Sequence, residues 1–484
     1  MDKMMILLPL MLYLGIMLFI AYRANIVKNS GEVNFMEEYF IGSRNMGGFV
    51  LAMTLIATYA SASSFIGGPG VAYKMGLGWV LLACIQTPTA FLTLGVLGKK
   101  FAIISRRIKG VTVTDYLRAR YKSDVVVIMA SVAVLVFFSA SIIAQFIGGA
   151  RLFETVTGLS YHTGLFLFGV VVIAYTSIGG FRAVALTDAI QGVVMLFATI
   201  FLFFAVSRAG GGMEKITRTL METNPDMLTP TAGGNIAKPF ILSFWMLVGV
   251  AVLGLPQTTV RCMGFRDSKS MHRAMVIGTL VVGFLMVGMH LIGVMGAAVE
   301  PGLEVGDKII PTLALNNMHP VLAGIFVGGP LAATMSTVDS MLILSSAAII
   351  KDLYTHYINK DAGEEKIKKL TFFTSLTLGS VVFLLSMNPP KLLVWINLFA
   401  FGGLQAAFLC PIIMGLYWKR ANATGAILSM VTGVGTYFYM TMAKIKFMGM
   451  HQIVPVIGVS VLAFVIGSLI GKRSSKETLD IFFN

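Results

Sequence analysis

The sequence predicts an all-α polytopic membrane protein of about 13 transmembrane helices, and three observations carry that prediction. The 484 residues are 56% hydrophobic and only 12% charged, with a mean hydropathy of +0.84, far from a soluble average. Apolar runs of the roughly 17 to 25 residues needed to span a bilayer recur along the whole chain. Lys and Arg are concentrated in alternate loops between those runs.

The runs fall at 4–22, 47–73, 77–98, 125–147, 162–180, 184–207, 239–260, 274–299, 319–350, 370–387, 391–417, 421–443 and 452–471. The first is too long for a signal-peptide core and lacks a small-residue cleavage site, so it reads as a retained helix. One set of loops carries about 26 of the 37 basic residues, including Arg23, Lys28 and Arg44, the group from Lys99 to Lys122, Arg182, Arg261 to Arg273, Lys351 to Lys369, Lys419, Arg420, Lys472, Arg473 and Lys476. The positive-inside rule makes that side cytoplasmic, with the N-terminus outside and the C-terminus inside. The longest extramembrane pieces, 99–124 and 351–369 inside and 209–238 outside, are too short for a soluble domain. The chain is therefore expected to be a single membrane domain.

The net charge of +15 is explained by this topology and by contact with anionic membrane lipid. No basic stripe with interleaved aromatics points to nucleic acid. Cys84, Cys262 and Cys410 form neither a disulfide framework nor a metal motif, and the six histidines show no ligand spacing. No nucleotide loop of the GxxxxGK type and no catalytic cluster is visible, so neither an ATP-driven pump nor an enzyme is expected. No obligate protein partner is evident.

Two runs are interrupted. The stretch "ATYASASSFIGGPG", residues 57–70, puts serines, a threonine, glycines and a proline inside a spanning segment. A broken helix survives in hydrocarbon only where protein or a water-filled cavity satisfies its backbone, so Gly67, Gly68, Pro69 and Gly70 predict an unwound, cavity-lining helix. The run 239–260 is interrupted in the same way by Gly249, Gly254 and Pro256. The two lie five helices apart, the pattern of an inverted-repeat transporter, with runs two to six matching seven to eleven. The repeats would cover 47–207 and 239–417, leaving helix one and 421–471 peripheral. In "GGPLAATMSTVDSMLILSSAAIIKDLY", residues 328–354, Ser336 and Ser340 share a helix face, as do Thr337 and Ser340, and Asp339 lies beside them. Uncharged hydroxyls are hard ligands suited to sodium, although a single intramembrane serine more often bonds back to its own helix.

"EEYFIGSRNMGG", "ATYASASSFIGGPG", "YTSIGGFRAVALTDAIQG" and "AATMSTVDSMLILSSAAIIKDLY" resemble the signature regions of the sodium/solute symporter family. The resemblance implies a LeuT-like fold of five plus five inverted helices in the bacterial inner membrane, with Na+ as coupling ion. It places the sodium ligands on the carbonyls of Ala57, Ala60 and Ala333 and the hydroxyls of Ser336 and Thr337, and puts Asp188 on the sodium release path. From chemistry alone Asp188 could as well pair with Arg182. Overall likeness implies pantothenate as the solute, with proline, a monocarboxylate or a sugar as alternatives. Ser64 matches a substrate-facing position of the family.

Ser63, Gln86 and Trp245 are its plausible neighbours, and His290 is a lone intramembrane histidine that should face the bundle. Arg151 and Glu154 read as a structural pair. No intramembrane Lys or Arg is expected near the site; the half-helix ends near Gly68 and Gly254 would supply the positive field for a carboxylate.

Overall fold

The computed structural model describes residues 3–27, 41 and 44–484. Lys28 and half of the phrase "EEYFIGSRNMGG" lie outside the described residues, as does the side chain of Arg182. Helices account for nearly all of the rest. We label the principal helices α1 (Lys3–Val27), α2 (Gly48–Tyr59), α3 (Ser63–Met75), α4 (Leu77–Arg107), α5 (Asp124–Thr157), α6 (Tyr161–Ala209), α7 (Lys238–Gly254), α8 (Pro256–Met263), α9 (Ser268–Val299), α10 (Pro320–Ile358), α11 (Glu364–Leu385), α12 (Val394–Tyr417), α13 (Ala423–Met442) and α14 (Ile453–Ile470). Among the described residues, eight helices are long and apolar enough to cross a membrane, or up to ten if each bent pair, α2 with α3 and α7 with α8, is one span.

The predicted runs 162–180 and 184–207 appear as the one helical stretch α6. Its 49 residues would extend more than 70 Å if straight, over twice the hydrocarbon thickness, at about 1.5 Å per residue. The two ends nevertheless meet the same face of the bundle. The Tyr161 hydroxyl donates to the Ser386 carbonyl at the end of α11, and Gly210, just past α6, packs on Val299 at the end of α9. That face also holds Arg151, Glu154 and Lys308 and the contact of Tyr73 with Glu300. Both ends of the stretch thus lie at one face of the bundle, and its second part, Val184–Ala209, is long and apolar enough to cross a membrane.

Long helices exceed the predicted runs at their ends. α10 continues eight residues past the apolar run because Lys351 and Asp352 are held in protein: Lys351 pairs with Asp115, and Asp352 accepts from Thr112 at 3.0 Å. Asp115 lies on the loop helix Val113–Tyr121, where it completes a capping box with Thr112. Burial alone would raise the Asp115 pKa, but Lys351 and the N–H groups of Val111 and Thr112 outweigh it and hold the carboxyl below its ordinary range.

α2 and α3 meet at an angle of 68°, α7 and α8 at 50°. The second break sits where it is expected: Pro256 forces the preceding Leu255 into an extended conformation (φ −93°, ψ 111°), and α8 starts with that proline. The first does not. The chain leaves the helix at Ala60 (φ −69°, ψ 126°) and resumes at Ala62, then runs helically through Gly67, Gly68, Pro69 and Gly70. These residues serve close packing instead of unwinding. A methyl on Gly68 would strike His290 Nε2, one on Gly70 would lie 2.7 Å from Gly306, and Gly293 of α9 presses on the Pro69 carbonyl.

Candidate functional site

The first break leaves backbone groups without helical partners inside the bundle, and specific side chains take them up. Buried Gln145 of α5 accepts from Ala62 N–H at 2.7 Å, Ser61 Oγ accepts from Ser63 N–H at 3.2 Å, and Ser64 Oγ accepts from Ser61 N–H at 3.4 Å. On the other side of the break, the carbonyls of Ala57 and Ala60 point at α10. Ser336 Oγ donates to Ala57 O at 2.8 Å and Thr337 Oγ1 to Ala60 O at 3.1 Å. Ala333 O lies 3.2 Å from Ser336 Oγ and 3.0 Å from Thr337 Oγ1. Five oxygens named from the sequence, three carbonyls and two hydroxyls, thus converge between two helices more than 270 residues apart in sequence. All are buried and uncharged. Ser336 also reaches Ala332 O at 2.8 Å, so its hydroxyl can turn its proton onto its own helix and present lone pairs to a cation. Among the described residues no group of three or more His, Cys, Asp or Glu could hold a metal; neutral hydroxyl and carbonyl oxygens are hard donors of the kind that suits a small hard cation.

Ser340, one turn further along α10, belongs to a different cluster. Arg261 of α8, fully buried, donates to Ser340 Oγ at 2.7 Å and to Thr58 Oγ1 at 2.6 Å, and lies 3.4 Å from Asp188 Oδ2. Thr54 donates to the same Asp188 oxygen at 2.7 Å. The expectation that no intramembrane basic residue lies near the site is therefore wrong. Counted from the apolar run ending at 260, Arg261 falls in a cytoplasmic loop; the helix continues to Met263 and carries it inside. Among the described residues Asp188 forms its ion pair with this arginine. Asp339 is fully buried, and its Oδ1 accepts the N–H of Ser340 at 2.8 Å. Arg151 and Glu154 do pair, at 3.6 Å, and Lys308 joins Glu154 at 3.1 Å.

Beside the first break lies a small cavity of about 40 Å³, lined by Ser63, Ser64, Gln86 and His290 together with Tyr59, Trp79, Phe244 and Asn397. Gln86 Oε1 accepts from Tyr59 at 3.0 Å; His290 Nδ1 meets the Met286 carbonyl at 2.6 Å, which leaves Nε2 facing the cavity beside Gly68. Trp245 is not there. It is 52% exposed on the outside of α7, one residue beyond the Phe244 that does line the space. A wider vestibule of about 380 Å³, lined by Asn235, Phe240, Lys446 and His451, lies next to this cavity, and Trp79 borders both. Trp79 packs edge-on against Phe244 and Trp395, each with ring centroids 5.7 Å apart, forming an aromatic partition. Gln145, Arg261, Trp79 and Asn397 were not singled out from the sequence. A glutamine in the apolar run 125–147 and an asparagine in the run 391–417 were the visible signals among them.

Residues 39–433 match the profile of the sodium:solute symporter family. The chain is 49% identical to the sodium/pantothenate symporter of Haemophilus influenzae and 48% identical to that of Escherichia coli, in each case over 98% of both chains. The sodium/proline symporter of Escherichia coli is 28% identical, over 94% of this chain and 91% of that one. Among solved structures, a Na+-coupled sialic acid symporter superposes with a TM-score of 0.79 at 19% identity, covering 98% of this chain and 99% of that chain, and so shares the fold.

Proposed function

The chain belongs to the sodium:solute symporter family, and on that premise we propose that it imports pantothenate together with Na+ across the bacterial inner membrane by alternating access. The identity of 48 to 49% with two pantothenate symporters, against 28% with a proline symporter of similar coverage, carries the substrate reading. The convergence of Ala57, Ala60, Ala333, Ser336 and Thr337 carries the ion site. In this reading α1, the Tyr161–Ala174 half of α6 and α13 also span, which brings the count to thirteen. The segments 47–207 and 239–417 form the inverted repeats, and the N-terminus lies outside and the C-terminus inside.

Sodium bound at the junction of α2 and α10 would hold the carbonyls of the first break in place, and with them Ser63 and Ser64 on the far side of the same break. Each ligand then raises the other's affinity by linkage. Pantothenate offers a carboxylate, an amide and two hydroxyls, for which Ser63, Ser64, Gln86 and His290 Nε2 provide hydrogen-bonding partners. The present cavity holds little more than a water or two, so the substrate enters only when the Trp79, Phe244 and Trp395 partition opens. Asp188, paired with Arg261, would line the route by which sodium leaves for the cytoplasm. One Na+ and one pantothenate carboxylate carry no net charge together, so uptake is driven by the sodium concentration gradient.

The test is uptake of labelled pantothenate into proteoliposomes of the purified protein. The reading requires accumulation that depends on an inward sodium gradient and is not displaced by excess proline or sugar. Sodium-driven proline or sugar uptake without pantothenate uptake would overturn the substrate and leave the symport standing.

A further inference from the structure

One helical turn from the proposed sodium oxygens, toward the basic face of the molecule, the chain carries a positive charge of its own. Arg261 and Asp188 are both fully buried, their side chains 0% exposed. The guanidinium is surrounded by hard oxygens from three helices: Thr58 Oγ1 of α2 at 2.6 Å, Ser340 Oγ of α10 at 2.7 Å and Asp188 Oδ2 of α6 at 3.4 Å. Asp188 Oδ1 is buried in the same place with no hydrogen-bond partner. Asp339 adds its charge to the field around the guanidinium. Hydroxyls from α2 and α10 facing one another around a cation is the chemistry of the sodium oxygens repeated a turn away: Thr58 follows Ala57 directly, and Ser340 stands four residues after Ser336.

We propose that Arg261 is a tethered cation filling a second monovalent-cation site built by Asp188, Thr58 and Ser340, and that it thereby sets the transport stoichiometry at one sodium. The inference rests on the sodium site proposed above. The guanidinium is never deprotonated and cannot leave its helix, so it neutralises Asp188 permanently without being transported. Removing its charge exposes a buried carboxylate that must take up another cation. The oxygens left around it are those that suit sodium.

The experiment uses purified protein in proteoliposomes with membrane potential and sodium gradient set independently, and reads the pantothenate accumulation ratio at equilibrium. In the wild type, each tenfold sodium gradient gives about tenfold accumulation, and potential has no effect. Arg261→Ala and Arg261→Gln, the second of which keeps donors for Thr58 and Ser340, are expected to reach about a hundredfold for the same gradient. Their accumulation also gains about tenfold per 60 mV of inside-negative potential. Labelled sodium bound at saturation rises from one to two ions per chain, which gives a readout should either variant bind but not transport. Arg261→Lys and the double variant R261A/D188N are expected to return to one.

A wild type that couples two sodium ions overturns the proposal without any variant. So does a folded, charge-removed variant that still binds and couples one, because Asp188 would then be neutralised by a proton. A wild type with no sodium dependence at all would instead refute the sodium symport on which the inference rests.

Discussion

The two broken spans do different work with different residues. At the second, Gly254, Leu255 and Pro256 break the helix by themselves, and Thr258 and Thr259 cap the Leu255 carbonyl at 2.9 Å each. At the first, the residues at the break are Ala60, Ser61 and Ala62, none of which forbids a helix, and the bend is the sharper, 68° against 50°. There the break is held from outside by Gln145 and by the serines that follow. A break stabilised by neighbours can be remade when neighbours move; a break set by proline cannot. The first presents neutral oxygens to α10, and the second delivers Arg261 beneath them. A break held by its neighbours, where we propose the ion binds, thus stands against one set by its own proline that carries a buried charge.

The largest expected effect tests the claim that the glycines of the first span are packing surfaces. Gly293→Ala would drive a methyl into the Pro69 backbone, 2.8 Å from its Cα, where nothing flexible can yield. A loss of about 3 kcal/mol is expected, read as a lowered midpoint in detergent unfolding or as failed expression. Gly68→Ala meets the His290 ring, which has its own rotamers, together with the Ser63 carbonyl at 2.7 Å, and should cost less. If both alanine variants were as stable as the parent, the close approach of α3 and α9 would be refuted.

Next is the ion site. Thr337→Ala and Ser336→Ala each remove one hydroxyl from a small cation, a loss of about 2 kcal/mol, and sodium half-saturation of uptake should rise at least about tenfold. Ser340→Ala, one turn away, takes a partner from Arg261 and should move sodium half-saturation far less. Equal effects of the three would place the ion between the two clusters.

This contrast also marks what the sequence could show. Apolar runs located the spans because burial in lipid demands them, and Pro256 located the second break because proline acts on its own neighbour. The first break was read seven residues too late, at Gly67 to Gly70, because the glycines there answer to α9, α12 and the 306–308 turn. That the oxygens of Ala57, Ala60, Ala333, Ser336 and Thr337 come together was legible through motif. Arg261 was not: its meaning depends on Asp188, 73 residues earlier, and on a helix that outlasts its apolar run. Trp245 and Phe244 are adjacent, and only the bend of α7 decides which ring faces the cavity.

A third expectation compares how the two segments are supported. Gln145→Leu leaves the Ala62 N–H buried without an acceptor and should cost about 1–3 kcal/mol, together with weakened sodium activation because Ala57 and Ala60 lose their fixed positions. Gln405 of α12 donates to the Leu247 carbonyl of α7 at 2.7 Å. A carbonyl tolerates loss of one donor better than an N–H tolerates loss of its acceptor, so Gln405→Leu should cost about 1 kcal/mol or less and leave sodium activation unchanged. Thermal midpoints with and without sodium would separate the two, and a larger sodium effect for Gln405→Leu would reverse the assignment of hinge and fixed break.

The smallest expected effect concerns the outer end of the fixed segment. Ser243 of α7 accepts from the His451 N–H at 2.8 Å, and the His451 ring packs against Phe240 and Phe244 while its Nδ1 accepts from Ile453 N–H at 3.2 Å. Burial pushes the His451 pKa down from 6.5 to about 4. A depressed histidine is neutral in the folded protein while the unfolded chain takes up a proton, so its contribution is complete above pH 6.5 and is lost as pH falls from there toward 4. The slope is at most about 1.4 kcal/mol per pH unit, and protonation would also remove the acceptor for Ile453. His451→Asn should flatten this part of the stability profile between pH 7 and 5 without altering sodium half-saturation, because the outer half of α7 takes no part in the hinge of α2 and α3. An unchanged acid slope in that variant would assign the loss to another group, and a shifted sodium response would show that the second span is less fixed than its proline implies.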